Sequence, residues 1–437
     1  MPRRRRRRFQ LRLNARTSRL AAVAFLLALV GISLGCVVYE GRKTTPPAHL
    51  PPPTRDVQPL DALGLIEGWV PSWTDERAIV TQAADAGFHG VLLFHGTIKP
   101  DGRVVLEDPK GLASAVETAH ARNLATWLTV TNHGADLSAT LGRNLEAHLD
   151  SLVEAWRASG CGHLDLDYES LSLADVRNLE SALDRLDARL EARCRLSLTL
   201  QPADSALRPD QLPVYHRMLA HPRVACVRLM AYDYHWKGSL PGALYPMPAF
   251  ERLIEAYPEY RSKLVLCLPL YGYDWPRPED CTIPQGTTVV LRDLDRHANL
   301  RAVWMRRDAE LALFGDGRAV AAPSLRAVRE RVRVMLRRGV PGVCFWHLGC
   351  AQLAPVAAAC TDPARDQPEA LSWTEAEGWH QWQTEFKQRV CRRHVARPGE
   401  TLESIGRQYG VERAAMYRFN ADLTNDGLAG KTVFVPQ

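Results

Sequence analysis

The stretch His163-Leu-Asp-Leu-Asp-Tyr-Glu169 sets acids at 165, 167 and 169, every second position. In an extended strand successive side chains alternate faces, so these three share one face, about 6.6 Å apart per two residues. Leu164 and Leu166 take the other face, which predicts a buried strand. Three carboxylates on an inner face repel, and neighbouring carboxylates raise one another's pKa unless protons are shared. A raised pKa suits a general acid near neutral pH, so this acidic face is the expected catalytic site. A solvated strand edge or a calcium site is the other use of such acids; the apolar neighbours favour catalysis.

Outward from this stretch, short apolar runs alternate with amphipathic segments. The runs are Gly64 to Val70, Gly90 to Phe94, Leu124 to Thr131, His163 to Glu169, Leu196 to Gln201, Cys226 to Tyr232, Leu264 to Leu270 and Gly342 to Trp346. Between them, segments such as Asp175 to Ala192 and Ser324 to Arg338 carry apolar residues at three- and four-residue spacing and read as helices. Eight strand–helix units over about 300 residues predict an α/β fold of the (β/α)8 TIM-barrel type. A doubly wound sheet lacks support, because no glycine-rich phosphate loop follows the first strand. Asp274 to Ala322 is long enough to form an insertion beside the active face.

The acidic run resembles the D-G-x-D-x-D-x-E signature of family 18 glycoside hydrolases, which include chitinases and peptidoglycan N-acetylglucosaminidases. Met230-Ala-Tyr232-Asp233 resembles the family's M-x-Y-D. Leu268-Pro-Leu-Tyr271-Gly272-Tyr273 resembles its seventh-strand segment, and Gly342-Val-Cys-Phe-Trp346 its last strand. The resemblance implies substrate-assisted hydrolysis with retention, in which the 2-acetamido group of the sugar is the nucleophile. It gives Glu169 the role of acid and then base. Asp167, exchanging contacts between Asp165 and Glu169, would orient the acetamide, and Tyr232 would donate to its carbonyl oxygen. Trp346 would floor the sugar, with Asp233, Met230, Gln201 and Tyr271 as further substrate-binding positions. The departure is Gly162-His163, where the signature has Asp and Gly. That reading leaves Asp165 one partner short, with His163 either a structural residue or a tuning group.

The segment His394 to Gln437 has short β-type runs at both ends of two helical stretches and resembles the βααβ LysM domain. The resemblance lies in Val395-Ala-Arg-Pro-Gly399-Glu400-Thr401-Leu402-Glu-Ser404-Ile405, Tyr409-Gly-Val411, Asn420 and Leu428 to Pro436. It implies binding of N-acetylglucosamine glycans through Gly399, Glu400, Thr401, Leu402 and Asn420. Before it, Thr374 to Cys391 reads as a linking helix, and Trp373, Trp379 and Trp382 either pack on the barrel or touch sugar.

At the other end, residues 1–19 carry nine arginines and no acid, leaving 46 basic against 49 acidic residues elsewhere. The net charge of +6 is thus a terminal feature, which argues against nucleic acid as a partner. The uncharged run Leu20 to Tyr39 is long enough at about 20 residues to span a bilayer, and reads as a membrane anchor or export signal with the arginines kept in the cytoplasm. Gly35-Cys36 resembles the end of a lipoprotein cleavage site, with Ser33 departing from that pattern, and Arg6-Arg-Arg-Phe9 loosely resembles a twin-arginine signal. Five prolines between Thr44 and Thr54 read as a stiff spacer.

The expected organisation is therefore 1–19 basic tail, 20–39 membrane segment, 40–61 proline-rich linker, 62–360 barrel, 361–392 linker helix and 393–437 LysM domain. The expected location is extracytoplasmic, in the cell envelope, with peptidoglycan or a chitin-type glycan as partner. Export permits disulfides among the ten cysteines, and Cys161 and Cys194, each just before a strand, are the expected pair. Cys226, Cys267 and Cys344, inside apolar runs, read as buried small hydrophobes. No paired C-x-x-C spacing or His/Asp ligand set is visible, so neither a metal nor another cofactor is expected. The competing expectation is a catalytically silent glycan-binding protein of the envelope.

Overall fold

The computed structural model describes residues 60–437 apart from 134, 170, 277–285, 316–317, 323, 366–373, 376–378, 421–422, 424, 426 and 437. The basic tail, the 20–39 segment, nearly all of the spacer, Trp373 and the side chains of Trp379 and Trp382 lie outside the described residues. Among those described, no helix is long and apolar enough to cross a membrane.

Eight parallel strands form a closed barrel: β1 (Leu65–Pro71), β2 (Gly90–Ile98), β3 (Ala125–Thr131), β4 (His163–Asp167), β5 (Leu196–Leu200), β6 (Val224–Met230), β7 (Leu264–Pro269) and β8 (Gly342–Trp346). Closure comes from β1, which pairs with both β8 (Leu65 with Gly342) and β2 (Glu67 with Gly90). Each strand lies within about two residues of its expected run except β2, which continues four residues past Phe94 to Ile98. The two-residue offset of β6 has a local cause. Ala231 N bonds to Leu229 O and Tyr232 N to Met230 O, which turns the chain out of the ladder, and Asp233 takes a left-handed φ of 56°.

The helices end where their residues dictate. Asp75 accepts from Ala78 N to cap Glu76–Ala86, which Gly87 ends at φ 85° while Ile79, Val80 and Ala83 face the barrel. Ser324 likewise caps Leu325–Arg337. The main apolar cluster fills the space between strands and helices. A second, made of Trp69, Leu92, Phe94, Trp127, Cys226, Val265, Cys267 and Cys344, lies apart from it, and its strand members share the faces that look into the barrel. The three strand cysteines are thus the buried hydrophobes expected of them.

The expected insertion is an antiparallel sheet of Tyr271–Trp275, Thr287–Val290, Arg301–Met305, Glu310–Gly315 and Arg318–Ala322. It has its own core of Val289, Leu294, Leu300, Leu311, Leu313 and Val320. Gly272 is required there, because a Cβ would meet the carbonyl oxygen of Ala321 and lie 2.7 Å from Ala322 Cα.

The linking helix is shorter than expected, Trp379–Val390, because Thr374–Glu375 instead pairs with Arg301–Met305 at the edge of the inserted sheet. The C-terminal module is βααβ: Cys391–Val395 pairs antiparallel with Thr432–Pro436 around helices Leu402–Tyr409 and Arg413–Phe419. It is docked on the barrel loops. Leu240 joins Phe386, Val390, Cys391 and Phe419 in one cluster, and Arg413 donates to Ser205 O at 3.2 Å. The expected Cys161–Cys194 disulfide does not form. Both are buried free thiols, and burial pushes them up, to about 12 and about 11.

Candidate active site

Strand register assembles the acids. Thr129 of β3 stands beside Asp165 and Thr131 beside Asp167, while Ser197 and Thr199 of β5 flank them from the other side. Asp165 is fully buried and accepts from Ser197 Oγ at 2.6 Å, Thr199 Oγ1 at 3.0 Å and Thr129 Oγ1 at 3.1 Å. Burial pushes its pKa up, and Arg228 and these hydroxyls pull it back. Asp167 is also buried, and its Oδ1 has no hydrogen-bond partner among the described residues. Burial, then the charges of Glu169 and Asp165, push it well above the usual carboxylate range, which favours its protonated form.

Glu169 lies just past β4 and is held from three sides. Asn132 pins its backbone, accepting from Glu169 N at 2.8 Å and donating to Glu169 O at 3.1 Å. Gln201 Nε2 donates to Oε2 at 2.9 Å, and His133 Nε2 lies 3.0 Å from Oε1. The hydrogen bond from His133 lowers the Glu169 pKa against the opposing effect of burial. This corrects the sequence expectation: burial raises Asp165 and, further, Asp167, whereas Glu169 is lowered and rests ionised. Asn132 and His133 were missed because they sit in a turn after β3 and belong to no periodic pattern.

The same pairing raises the His133 pKa above 6.5, its hydrogen bond to Glu169 outweighing burial. The pair's stabilisation is therefore fully present between the ordinary Glu and His ranges, about pH 4.5 to 6.5, and is lost as pH rises through the raised His133 value or falls through the lowered Glu169 value. In Glu169→Gln the His133 titration should fall back toward its ordinary range, read from imidazole NMR shifts; a titration unmoved by the substitution would show that the two groups are uncoupled.

Glu169, Gln201, Met230, Tyr232, Asp233 and Trp236 line one cleft of about 240 Å³. Burial, then Cys267, Asp167 and Asp233, push the Tyr232 phenol up, so it stays protonated as a donor. Tyr271 is placed differently from its expected role. Its hydroxyl donates to Asp233 Oδ1 at 2.5 Å, joined by Tyr273 at 3.0 Å, so it supports Asp233 from behind. Trp346 lies outside the cleft lining, in an aromatic group with Trp69 (5.8 Å between centroids), Phe94 (5.2 Å) and Trp73 (6.4 Å). Trp73, 63% exposed, was another residue missed, since a lone loop tryptophan carries no pattern.

The Gly162-His163 departure has less effect on the acids than its sequence position suggested. Strand alternation puts 163, 165 and 167 inside, whereas a Cβ at Gly162 would lie nearest Thr126, 3.7 Å from its carbonyl oxygen. An aspartate at 162 would face away from Asp165, so its loss removes no partner from that carboxylate. His163 is structural: its Nδ1 accepts from Arg195 N at 3.2 Å and its ring lies 4.7 Å from Trp127. Burial and then Arg195 lower its pKa, leaving it neutral.

His133, Asp167 and Glu169 bring one ligand atom each within 4.8 Å of one another. They are the group among the described residues that could hold a metal ion, although His133 and Glu169 already bond to each other. In the C-terminal module two expected glycan contacts are internal. Leu402 is fully buried in the module's core. Asn420 donates to Met416 O and Phe434 O and accepts from Phe434 N, so backbone occupies its amide. Gly399, at φ 85°, shapes the exposed loop; Glu400 Oε2 bonds to His394 Nε2 and accepts from Arg397 N; and Thr401 caps the first helix.

No family model matches the chain. It is 30% identical over 203 residues to YdhD of Bacillus subtilis (strain 168), a sporulation-specific glycosylase by name, covering 43% of this chain and 47% of that protein. The chain thus spans about half the length of that relative. The spore cortex-lytic enzyme SleL of Bacillus cereus superposes with a TM-score of 0.59 at 19% identity, over 69% of this chain and 75% of that one. The GH18 chitinase of Cycas revoluta, in complex with (GlcNAc)3, superposes with a TM-score of 0.58 at 16% identity, over 69% of this chain and all of its own. The barrel therefore carries the fold of the family 18 chitinases and cortex-lytic enzymes, and the resemblance read from its four motifs holds at the level of fold.

Proposed function

We propose that this protein is a retaining glycoside hydrolase that cleaves β-1,4 linkages after N-acetylglucosamine by substrate-assisted catalysis. The observation that carries the reading is the pairing of Glu169, clamped at the cleft, with a buried Asp167 whose carboxyl burial and its acidic neighbours push up. Of the described residues lining the cleft, the other carboxylate is Asp233, which is engaged by two tyrosine hydroxyls. A second protein nucleophile is thus not offered, which suits a nucleophile supplied by the sugar's acetamide. Asp167 passes its proton to the ionised Glu169, which gives it to the leaving oxygen; Asp167, then a carboxylate, orients the acetamide, and Tyr232 donates to the acetamide oxygen.

A wall glycan is the preferred substrate. The apolar segment 20–39, the proline-rich spacer and the LysM-like module would hold the barrel outside the cytoplasm against peptidoglycan, and the similar cortex-lytic enzyme points the same way. Purified protein should release reducing ends from peptidoglycan or chito-oligosaccharides. Binding without product on both would support the silent glycan-binding alternative instead.

Trp73, exposed beside Trp346, supplies a platform for sugar stacking at the barrel mouth. Trp73→Ala should raise KM on polymeric glycan by about 3- to 10-fold, equivalent to about 1 kcal/mol of lost stacking, with kcat little changed. Steady-state kinetics on long and short chains check this; equal KM values for the variant and the parent would remove Trp73 from the binding surface.

A further inference from the structure

Arg228 sits in the middle of an apolar strand, Val224-Ala-Cys-Val-Arg-Leu-Met230, and points into the barrel, fully buried. A lone charge there is costly unless paired and hydrogen-bonded. Its guanidinium is paired twice, with Asp165 Oδ1 at 3.2 Å and with Glu67 of β1, and it also bonds Ser197 Oγ. It stacks 4.5 Å from the Trp127 ring, whose Nε1 donates to Glu67 Oε1 at 2.8 Å. Glu67, Arg228 and Asp165 thus form a buried triad, with Arg228 bridging the two carboxylates beneath Glu169.

We propose that Arg228 is a positioning residue of the catalytic relay: with Glu67 as its counter-charge, it holds Asp165 ionised and turned into the barrel, so that the relay's proton belongs to Asp167 and Glu169. The inference rests on the hydrolase reading above and goes beyond it by fixing where the proton resides. One buried cation stands between two carboxylates, and among the described residues no cation pairs with Asp167. The third acid is therefore the place where a buried proton is most stable, one turn of the pleat from Glu169. The other titratable or charged groups facing the triad are His163 and Asp167 of β4, Cys226 of β6, Cys344 of β8, Arg195 before β5, and Glu169 above.

The test is the pH dependence of kcat/KM on chito-oligosaccharide. Arg228→Met removes the cation, so the acidic limb should move up by about one pH unit or more, with kcat at least about tenfold lower and KM little changed. Arg228→Lys keeps the charge and should keep the limb. Glu67→Gln gives Asp165 the undivided cation, so its limb should move down. Opposite shifts from two neighbouring buried groups are not produced by loss of packing. Limbs that stay in place, or move in the same direction, overturn the assignment; if Arg228→Met does not fold, Glu67→Gln alone decides. An active parent with immobile limbs removes only this role of Arg228, whereas a parent inactive on every glycan takes down the hydrolase reading with it.

Discussion

Glu169→Gln should lower kcat/KM on N-acetylglucosamine glycans by about 10²- to 10⁴-fold, the range for losing a positioned general acid. The folded state should persist, because Asn132 holds residue 169 through its backbone. An aryl glycoside whose leaving group departs without protonation should recover much of the loss. Asp167→Asn should behave differently: it disturbs acetamide orientation, needed whatever the leaving group, so the aryl substrate should not rescue it. kcat/KM on paired glycan and aryl substrates reads both. If Glu169→Gln retained full activity on the natural linkage, the proton donor would lie elsewhere.

The fold was legible because β-strand and helix periodicities act over whole segments, and eight of each leave few alternatives. The three acids were legible for the same reason, since alternation alone puts 165, 167 and 169 on one face. Their charge states were not. Those depend on groups brought in from other strands: His133 from the turn after β3, Arg228 from β6 and Glu67 from β1, up to 161 residues apart in the chain. Arg228 reads in sequence as an interruption of an apolar run, and only the closed barrel shows what it meets. The same limit explains Gly162. Its importance was judged from its place in a motif, whereas alternation within β4 turns that position away from the acids. In the C-terminal module, Leu402 and Asn420 match a motif whose positions include core and backbone-bracing residues, and sequence does not separate those from ligand contacts.

Arg331→Met should destabilise the protein by about 3–5 kcal/mol, the range for breaking a buried ion pair from one side. Arg331 lies on the inner face of helix Leu325–Arg337 and donates to Glu310 Oε2 at 3.0 Å, Ala309 O at 2.8 Å and Tyr245 O at 2.7 Å. Glu310 Oε1 in turn accepts from Leu244 N at 2.7 Å, and Leu244 O accepts from Tyr234 N. One guanidinium thereby ties the inserted sheet and a barrel helix to the segment carrying Tyr234 and Tyr245, both of which line the cleft. Removing it leaves the Glu310 carboxylate buried without its cation, and the cost is that of the stranded charge more than of the lost bond. The double variant Glu310→Leu/Arg331→Met should therefore be more stable than Arg331→Met alone, which urea unfolding of the two single variants and the double would show. Both should also lose kcat/KM while folded, because the Tyr234–Tyr245 segment is no longer fixed over Asp233; a double variant as unstable as the sum of the singles would mean that Glu310 and Arg331 act independently.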